Sequence, residues 1–426
     1  MQAPDRSKQP EVKPAGELSI LDAERIELGN GLPVYRISGG NQEIFNLELV
    51  FDAGRAHEQQ SLAAIYTNKL LEEGTKSHGS EEISRILDYH GAIYNKYCNR
   101  DFAGTSIFSL NKHAEKTLSL FTELITEPAF HEEEFNTLNK NERQHFLINS
   151  SKVKHLAREY FFPVIYGESH PYGKLTGIED FDQIELESVR AFYRNYYQSG
   201  NCIGLISGKV TDEIIHLVDR FIGKTELNTY SAPASEMKQP ANPSEKKIIR
   251  KEGALQSAIR IGRPIHNKLD EDYIPLKFVS ILLGGYFGSR LMSNIREDKG
   301  YTYGIGANVV SLRDAGYFFI ATETGTDVRE KALHEIYKEL KKLREERVSA
   351  EELDLVKKYM TGSFMHSIDG PFALAQNYKN VLLFGLDKSY FHKIIDVVNS
   401  MTSEKVQEIA NKYLREEDLS EIIAGK

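Results

Sequence analysis

The sequence predicts an α+β fold built from two homologous domains, each with a mostly antiparallel sheet packed with helices. Three observations predict this class. The length of 426 residues is more than one hydrophobic core usually serves, and it indicates two domains of roughly 200 residues. Amphipathic helical segments alternate with paired strand segments in both halves. The order of these segments in the first half recurs in the second half, after a proline-bearing linker.

The composition is that of an ordinary globular protein and excludes several classes of function. Hydrophobic residues make up 40% of the chain and the mean hydropathy is −0.43. The formal net charge of −9 gives no case for nucleic acid or an anionic membrane as partner. No apolar run is long enough to span a bilayer. Two distant cysteines, Cys98 and Cys202, form neither a disulfide framework nor a zinc ribbon.

The beginning of the chain bears on its location. The segment Met1–Gly16 is polar, contains proline and lacks the apolar core of a signal peptide. We therefore expect a cytoplasmic location, or a periplasmic one if a leader has been removed.

The first domain is predicted over residues 18–227, after a polar arm at 1–17. It opens with a hairpin around Gly29-Asn30-Gly31, a glycine-rich turn between two alternating segments. Apolar residues at helical or alternating spacing then predict the remaining elements. In order, these are strands 23–28, 32–37 and 43–52, helices 61–73 and 80–89, strands 92–98 and 102–110, helices 112–125, 131–146, 153–166 and 186–197, and strand 202–207.

A linker is predicted at 228–245, where prolines occur with Ser, Asn and Lys and no apolar period is visible. The second domain, 246–426, repeats the plan of the first. Segment 378–385 resembles 160–167, and segment 404–414 resembles 187–197. Two copies of one domain should enclose a cleft, and clefts between domains are common ligand sites. The predicted elements are strand 257–262, helix 272–283, strands 303–310 and 316–322, and helix 327–344.

The stretch from Gly284 to Tyr303 reads as a glycine-rich turn, one helix and the start of a strand. Arg296 and Tyr303 lie at its end, seven residues apart. The guanidinium offers five donors and a permanent charge, and a phenol can donate to a developing oxyanion. Taken alone, such a pair is more often structural than functional, because Arg commonly pairs on a helix face and Tyr is commonly half-buried in a strand.

The whole pattern resembles the insulinase/pitrilysin family of zinc peptidases, which includes the processing peptidases. The resemblance rests on the duplicated domain, on Leu70-Leu71-Glu72-Glu73-Gly74-Thr75, on His170-Pro171-Tyr172-Gly173 and on Ser289-Arg290-Leu291 followed by Arg296 and Tyr303. It implies that Arg296 and Tyr303 act as catalytic residues that contact the substrate carbonyl beside zinc. It also implies that the glycine-rich stretch binds substrate, through Gly284, Gly285, Phe287, Ser289 and Arg290.

The zinc-binding half of the family pattern, His-x-x-Glu-His on the first domain's first helix, is missing here. Its three positions fall on Ile65, Asn68 and Lys69, none of which can ligate zinc or activate water. The family's third ligand, a Glu, falls at His145 or a neighbour, or at Asn149 after a slip of one helical turn. We therefore expect no metal in this chain and zinc on a partner.

Three hypotheses of function follow. In the first, the chain is the non-zinc subunit of a heterodimeric peptidase, with a zinc-bearing homologous chain as partner and an extended peptide as substrate. In the second, it is an inactive peptide-binding or scaffold protein that uses the cleft, or an exposed strand edge such as 316–322, to add a peptide strand. In the third, His145, His155 or His170 joins nearby carboxylates in an independent metal site.

Overall fold

The computed structural model describes residues 20–225 and 244–426. The predicted arm at 1–17 and nearly all of the predicted linker lie outside the described residues. Within those ranges the fold is α+β, with two sheets packed with helices, and this confirms the predicted class. None of the helices in these ranges combines the length and apolar character needed to cross a membrane.

The first half forms a six-stranded sheet in the order β1-β2-β6-β3-β5-β4. The pairing of β2 with β6 is parallel and every other pairing is antiparallel. β3 is buried along nearly its whole length, because both faces of this central strand are covered. The strands are β1 (Glu24–Glu27), β2 (Pro33–Ser38), β3 (Ile44–Phe51), β4 (Ile93–Cys98), β5 (Ala103–Leu110) and β6 (Cys202–Gly208).

The second half forms a five-stranded sheet in the order β7-β11-β8-β10-β9. Its strands are β7 (Lys246–Arg250), β8 (Gln256–Ile265), β9 (Thr302–Ser311), β10 (Gly316–Gly325) and β11 (Ser420–Gly425). Only β7 and β11 pair in parallel. The order and the single parallel pairing repeat those of β2-β6-β3-β5-β4, as expected for a duplicated domain.

The helices of the two halves cover these sheets. Those of the first half are α1 (Ala63–Leu70), α2 (Ser80–His90), α3 (Ala114–Thr126), α4 (Glu132–Ser150), α5 (Val153–Tyr166), α6 (Asp180–Gln183), α7 (Leu186–Tyr196) and α8 (Asp212–Phe221). Those of the second half are α9 (Tyr273–Gly284), α10 (Arg329–Glu345), α11 (Ala350–Ser367), α12 (Pro371–Leu382), α13 (Ser389–Ser400) and α14 (Ser403–Tyr413). A π-helix, Met292–Asp298, joins α9 to β9.

Each half gives one helix to the other half. α5 belongs to the first half in sequence but packs on β8 and β11 of the second sheet. Its Phe161 lies so close to Gly262 that a Cβ there would be 2.9 Å from the ring. Tyr166 at the end of α5 donates a hydrogen bond of 2.8 Å to the carbonyl of Gly316. These contacts place an apolar cluster at the junction of the halves.

The equivalent helix of the second half, α12, packs in return on β6 and β2. Its polar side chains meet a buried carboxylate on the central strand of the first sheet. Lys379 Nζ lies 2.7 Å and Gln376 Nε2 lies 3.0 Å from the two carboxylate oxygens of Glu48. Sequence similarity between 160–167 and 378–385 therefore marks the two exchanged helices.

One sequence prediction is wrong. Segment 316–322 belongs to β10, which pairs with β8 on one side and β9 on the other, so it has no free edge. Within the described residues, the two edge strands of the second sheet are β7 and β9. The structure also contains elements for which no prediction was made, among them β7, α8, α11 and β11.

Candidate functional site

The π-helix Met292–Asp298 carries Arg296 and leads directly into β9, which carries Tyr303. Two contacts hold it against the protein. Ile295 is fully buried, and Asn294 Nδ2 donates to carboxylate oxygens of Glu335 and Glu339 on α10 at 2.9 and 2.8 Å. π-Helical turns are rare in proteins, and many of those that occur lie at functional sites. This anchoring fixes the backbone on which Arg296 is displayed.

Arg296 has only weak partners within the described ranges. Its Nη1 is 3.5 Å from Oε1 of neighbouring Glu297, and its guanidinium carbon is 4.7 Å from the ring centre of Phe287. The side chain is one-third exposed, and the Phe287 ring is also largely exposed. A guanidinium held over an aromatic face in this way keeps donors available to a ligand.

Tyr303 is 94% exposed, although it is a large aromatic residue on a strand. Its phenol has no hydrogen-bond partner among the residues that the structure describes. It borders a cavity of about 790 Å³ between the start of α5 and the face formed by β8, β9 and β10. An exposed ring loses the stabilisation that its burial would give, and its hydroxyl is left free to donate a hydrogen bond.

The glycines of the stretch have a packing role. A Cβ on Gly284 would lie 2.5 Å from the backbone nitrogen of Ala307, so glycine lets α9 approach β9 closely. Gly284 and Gly285 both border a second cavity, of about 830 Å³.

The structure does not support substrate contacts for two of the predicted residues. Ser289 is fully buried, and its hydroxyl is enclosed by protein. Arg290 donates from Nε and Nη2 to both carboxylate oxygens of Glu352 at 2.8 and 2.7 Å, which ties the stretch to α11. The Ser-Arg-Leu segment is therefore structural here, because its polar groups point inward.

The three positions of the missing zinc pattern lie on α1. Ile65 packs against the core of the first half. Asn68 is buried, and its Nδ2 lies 3.2 Å from the carbonyl of Gly104 and 3.3 Å from the hydroxyl of Tyr197. Lys69 Nζ is 2.6 Å from Oε1 of Glu142 on α4. These side chains do not fit a divalent metal, because no ligand atom replaces the two histidines and an ammonium already neutralises the facing carboxylate.

Glu142 is the residue that sequence reasoning missed at this place. The expected third-ligand positions were His145 and Asn149, but α4 brings Glu142 to Lys69. His145 is mostly exposed and its Nδ1 is 3.7 Å from the same Glu142 carboxylate. Glu142 lies one helical turn before His145, the predicted position. That spacing was the only feature of the sequence that could have pointed to Glu142.

The independent metal site has no support in the described residues. Between 20 and 225 and between 244 and 426, no group of three or more His, Cys, Asp or Glu side chains could hold a metal ion. His145 is on α4, His155 is in the first turn of α5, and His170 accepts a hydrogen bond of 3.0 Å from the backbone nitrogen of Tyr172.

A polar network joins the two halves of the chain. His57 Nε2 lies 3.0 Å from Oδ1 of Asp52, and the same carboxylate pairs with Arg313 from the turn between β9 and β10. Asp101 accepts a hydrogen bond from the hydroxyl of Tyr172 and another, of 3.0 Å, from the backbone nitrogen of Arg313. Burial lowers the pKa of His57, against the opposing charges of Asp101 and Asp314.

Comparison with protein families gives two matches that together span most of both halves. Residues 37–161 match the family model described as Insulinase (Peptidase family M16), and residues 183–360 match Peptidase M16 inactive domain. The chain belongs to the insulinase family. The residues that gave the resemblance in the sequence therefore identified the family correctly.

Relatives of this insulinase-family chain have names of both active and inactive proteins. It is 24% identical to "Uncharacterized zinc protease YmxG" of Bacillus subtilis, over 85% of this chain and 89% of that protein. It is 20% identical to "Non-peptidase homolog YmxG" of Helicobacter pylori, over 85% and 84%. A peptidase M16 inactive domain structure from Pseudomonas fluorescens superposes with a TM-score of 0.88 at 23% identity, covering 95% of this chain and 98% of that one.

The chain is also 20% identical to "Mitochondrial-processing peptidase subunit alpha" of Pongo abelii, over 91% of this chain and 79% of that protein. In this insulinase-family chain, the first half has no zinc donor set at Ile65, Asn68 and Lys69, whereas the second half displays Arg296 and Tyr303 with few internal partners. The chemistry available is donation of hydrogen bonds to a carbonyl oxygen or an oxyanion.

Proposed function

We propose that this chain is the non-zinc-binding subunit of a heterodimeric insulinase-family metallopeptidase. In this role Arg296 and Tyr303 bind and polarise the peptide carbonyl at a zinc site on a partner chain. The observation that carries the proposal is the 94% exposure of Tyr303, whose phenol has no partner in the described residues. A tyrosine with only a structural role would gain by burying its ring or bonding its hydroxyl.

The proposed chemistry needs only donors from this chain. As a tetrahedral intermediate forms, negative charge develops on the carbonyl oxygen, and the phenol of Tyr303 and the guanidinium of Arg296 donate to it. Removing one such donor typically costs about 2.7–4 kcal/mol of transition-state stabilisation. Zinc on the partner would supply Lewis acidity and an activated water when bound.

The Lys69–Glu142 ion pair supports the assignment of zinc to the partner. It leaves the first helix with a fixed positive charge that needs no metal to balance the carboxylate. The second domain of this chain must then face the first domain of a zinc-bearing homologue, so that the two half-sites meet across the dimer.

A scaffold or peptide-binding role is the second candidate, and the open edge of the second sheet favours it. Among the residues that the structure describes, β9 pairs with β10 alone. An extended peptide can add to such an edge through backbone hydrogen bonds without being cleaved. The two candidates differ in one measurable respect, which is turnover.

The test is to co-express this chain with homologous chains that carry His-x-x-Glu-His and to purify the complex. We expect hydrolysis of an extended peptide by the complex and none by this chain alone. Arg296→Met and Tyr303→Phe should each lower kcat about 100-fold with the dimer intact, since each removes an oxyanion donor.

Control variants of the same residue types come from α2, where Arg85 and Tyr89 are strongly exposed. Arg85→Met and Tyr89→Phe should leave kcat unchanged. A partner that is equally active without this chain would refute the subunit proposal, as would Arg296→Met and Tyr303→Phe complexes of normal activity. Peptide binding without turnover in any pairing would select the scaffold role.

A further inference from the structure

The cavity beside Tyr303 has a wall that the proposed oxyanion chemistry does not explain. One side consists of the first turns of α5 and the residues just before it, and the other side consists of β8, β9 and β10. Because α5 is an exchanged helix, both halves of the chain contribute to this cavity. Its volume of about 790 Å³ is large enough for several peptide residues.

The central feature of that wall is Arg260 on β8, whose guanidinium borders the cavity. Arg260 is only 8% exposed, yet its side chain makes no ion pair or hydrogen bond within the described ranges, and its Nε is buried without a partner. Its guanidinium carbon lies 4.1 Å from the ring centre of Phe319 and 4.8 Å from that of Phe161. Burial, more than any neighbouring charge, lowers the pKa of Arg260 to about 10.

A purely structural role does not account for this arrangement. The two aromatic rings hold the guanidinium plane in place but cannot accept its in-plane hydrogen bonds. A buried charge without a counter-ion in contact is unfavourable, and the carboxylate of Glu159, which raises the pKa of Arg260, already lies 3.0 Å from Arg158. The missing partner is therefore best supplied by something that enters the cavity.

Most of the other charged residues around the cavity are positive. Lys152, Lys154 and Arg158 border it, and the acidic residue on its wall, Glu323, lies 3.4 Å from Lys154. α5 begins at this wall, and no side chain caps its first turn. The positive end of the helix dipole adds to the charge of the lysines and arginines. In a chain with a net charge of −9, this local excess of cations is unusual.

We propose that Arg260 forms a carboxylate-binding subsite in the cleft, so that the preferred peptides carry an acidic group near the carbonyl held by Tyr303. The proposal rests on the proposed function for its assignment of the cleft to a peptide. A carboxylate fits because its two oxygens match the planar guanidinium fork. The group is either the side chain of Asp or Glu or the C-terminal carboxylate of the peptide.

The test measures binding to this chain alone by isothermal titration calorimetry, so that no partner or zinc is needed. One peptide is compared in four forms: with an internal Glu or Gln, and with a free or amidated C-terminus. We expect the removal of one of these two charges to weaken binding about tenfold, and the form that loses affinity identifies the source of the carboxylate. Equal affinity of all four forms, or no binding of any, would overturn the subsite.

Variants then locate the site. Arg260→Gln should bind the acidic and neutral forms alike, and Arg158→Gln, a change at an exposed position that leaves the core intact, should reduce the difference between them. The control is Arg220→Gln on α8, where the exposed arginine pairs with Glu115 and should not affect binding. A charge preference that survives in both Arg260→Gln and Arg158→Gln would also overturn the proposal.

The outcomes separate this inference from the proposed function. If acidic peptides are preferred in the Arg260-dependent way but no pairing hydrolyses them, the subsite stands and the catalytic subunit role fails. If the heterodimer cleaves neutral and acidic peptides equally well, the subunit role stands and the subsite fails.

Discussion

Two arginines of one stretch should respond to mutation in opposite ways. Arg290 makes two charge-assisted hydrogen bonds with Glu352, whereas Arg296 has a single 3.5 Å contact with adjacent Glu297. We expect Arg290→Met to destabilise the protein and Arg296→Met to leave its stability nearly unchanged. The reason is that only the first change leaves a carboxylate inside the structure without its partner.

The expected size follows from the exposure of the pair. Breaking a fully buried ion pair costs about 3–5 kcal/mol, and an exposed pair contributes about 0–1 kcal/mol. The side chains of Arg290 and Glu352 are 17% and 26% exposed, which is between these limits. We therefore expect a loss of about 2 kcal/mol, or roughly 4–8 °C in Tm for a unit of 150–250 residues. Arg296→Met should change stability by less than about 0.5 kcal/mol.

Differential scanning calorimetry of the wild type, Arg290→Met and Arg296→Met checks this expectation. Arg290→Lys is the control. It keeps the positive charge but loses the bidentate hydrogen bonding to Glu352, so it should give an intermediate Tm. A normal Tm for Arg290→Met together with lost peptide binding would show that Arg290 contacts substrate after all. A large Tm loss in Arg296→Met would make Arg296 structural and remove its proposed role.

Three further predictions concern the zinc positions, the polar network and the glycine packing. The double change Ile65→His and Lys69→His should create a zinc site with Glu142, which equilibrium dialysis would detect; zinc-free protein would show that Glu142 does not stand at the ligand position. Because burial lowers the pKa of His57, its contribution to stability should be present above about pH 6.5 and lost as the pH falls, so urea midpoints from pH 8 to 5 should decline less in His57→Gln. An equal decline in both proteins would exclude His57 as the cause. Gly284→Val should cost about 1–3 kcal/mol in a urea titration, since β9 backbone lies 2.5 Å from the new Cβ, and an unchanged midpoint would contradict the close packing.

Local patterns predicted the elements well because helical and strand periodicity are properties of neighbouring residues. The duplicated plan was readable for the same reason, since each half repeats one order of periodic segments. Helix 153–166 was predicted with the bounds that α5 has in the structure. Periodicity does not show on which sheet a helix packs. The packing of α5 on the opposite sheet was therefore not predicted.

The site was predicted only in part, and the misses have one physical cause. Glu142 meets Lys69, and Glu352 meets Arg290, through contacts between helices that are distant in sequence. No spacing rule along the chain relates such partners. The prediction of a free edge at 316–322 was wrong for a similar reason. The sequence of a strand gives its composition, but it does not give the position of that strand in the sheet.

The exchange of α5 and α12 has a mechanical consequence. Rotating the two halves apart, so that the cleft opens, would pull Phe161 from β8 and Lys379 from Glu48 at the same time. Each half holds the other through an exchanged helix. We therefore expect the two sheets to move together as one body rather than to rotate about a hinge. Under the proposed function, a cleft whose two halves do not separate would admit a peptide substrate only as an extended chain.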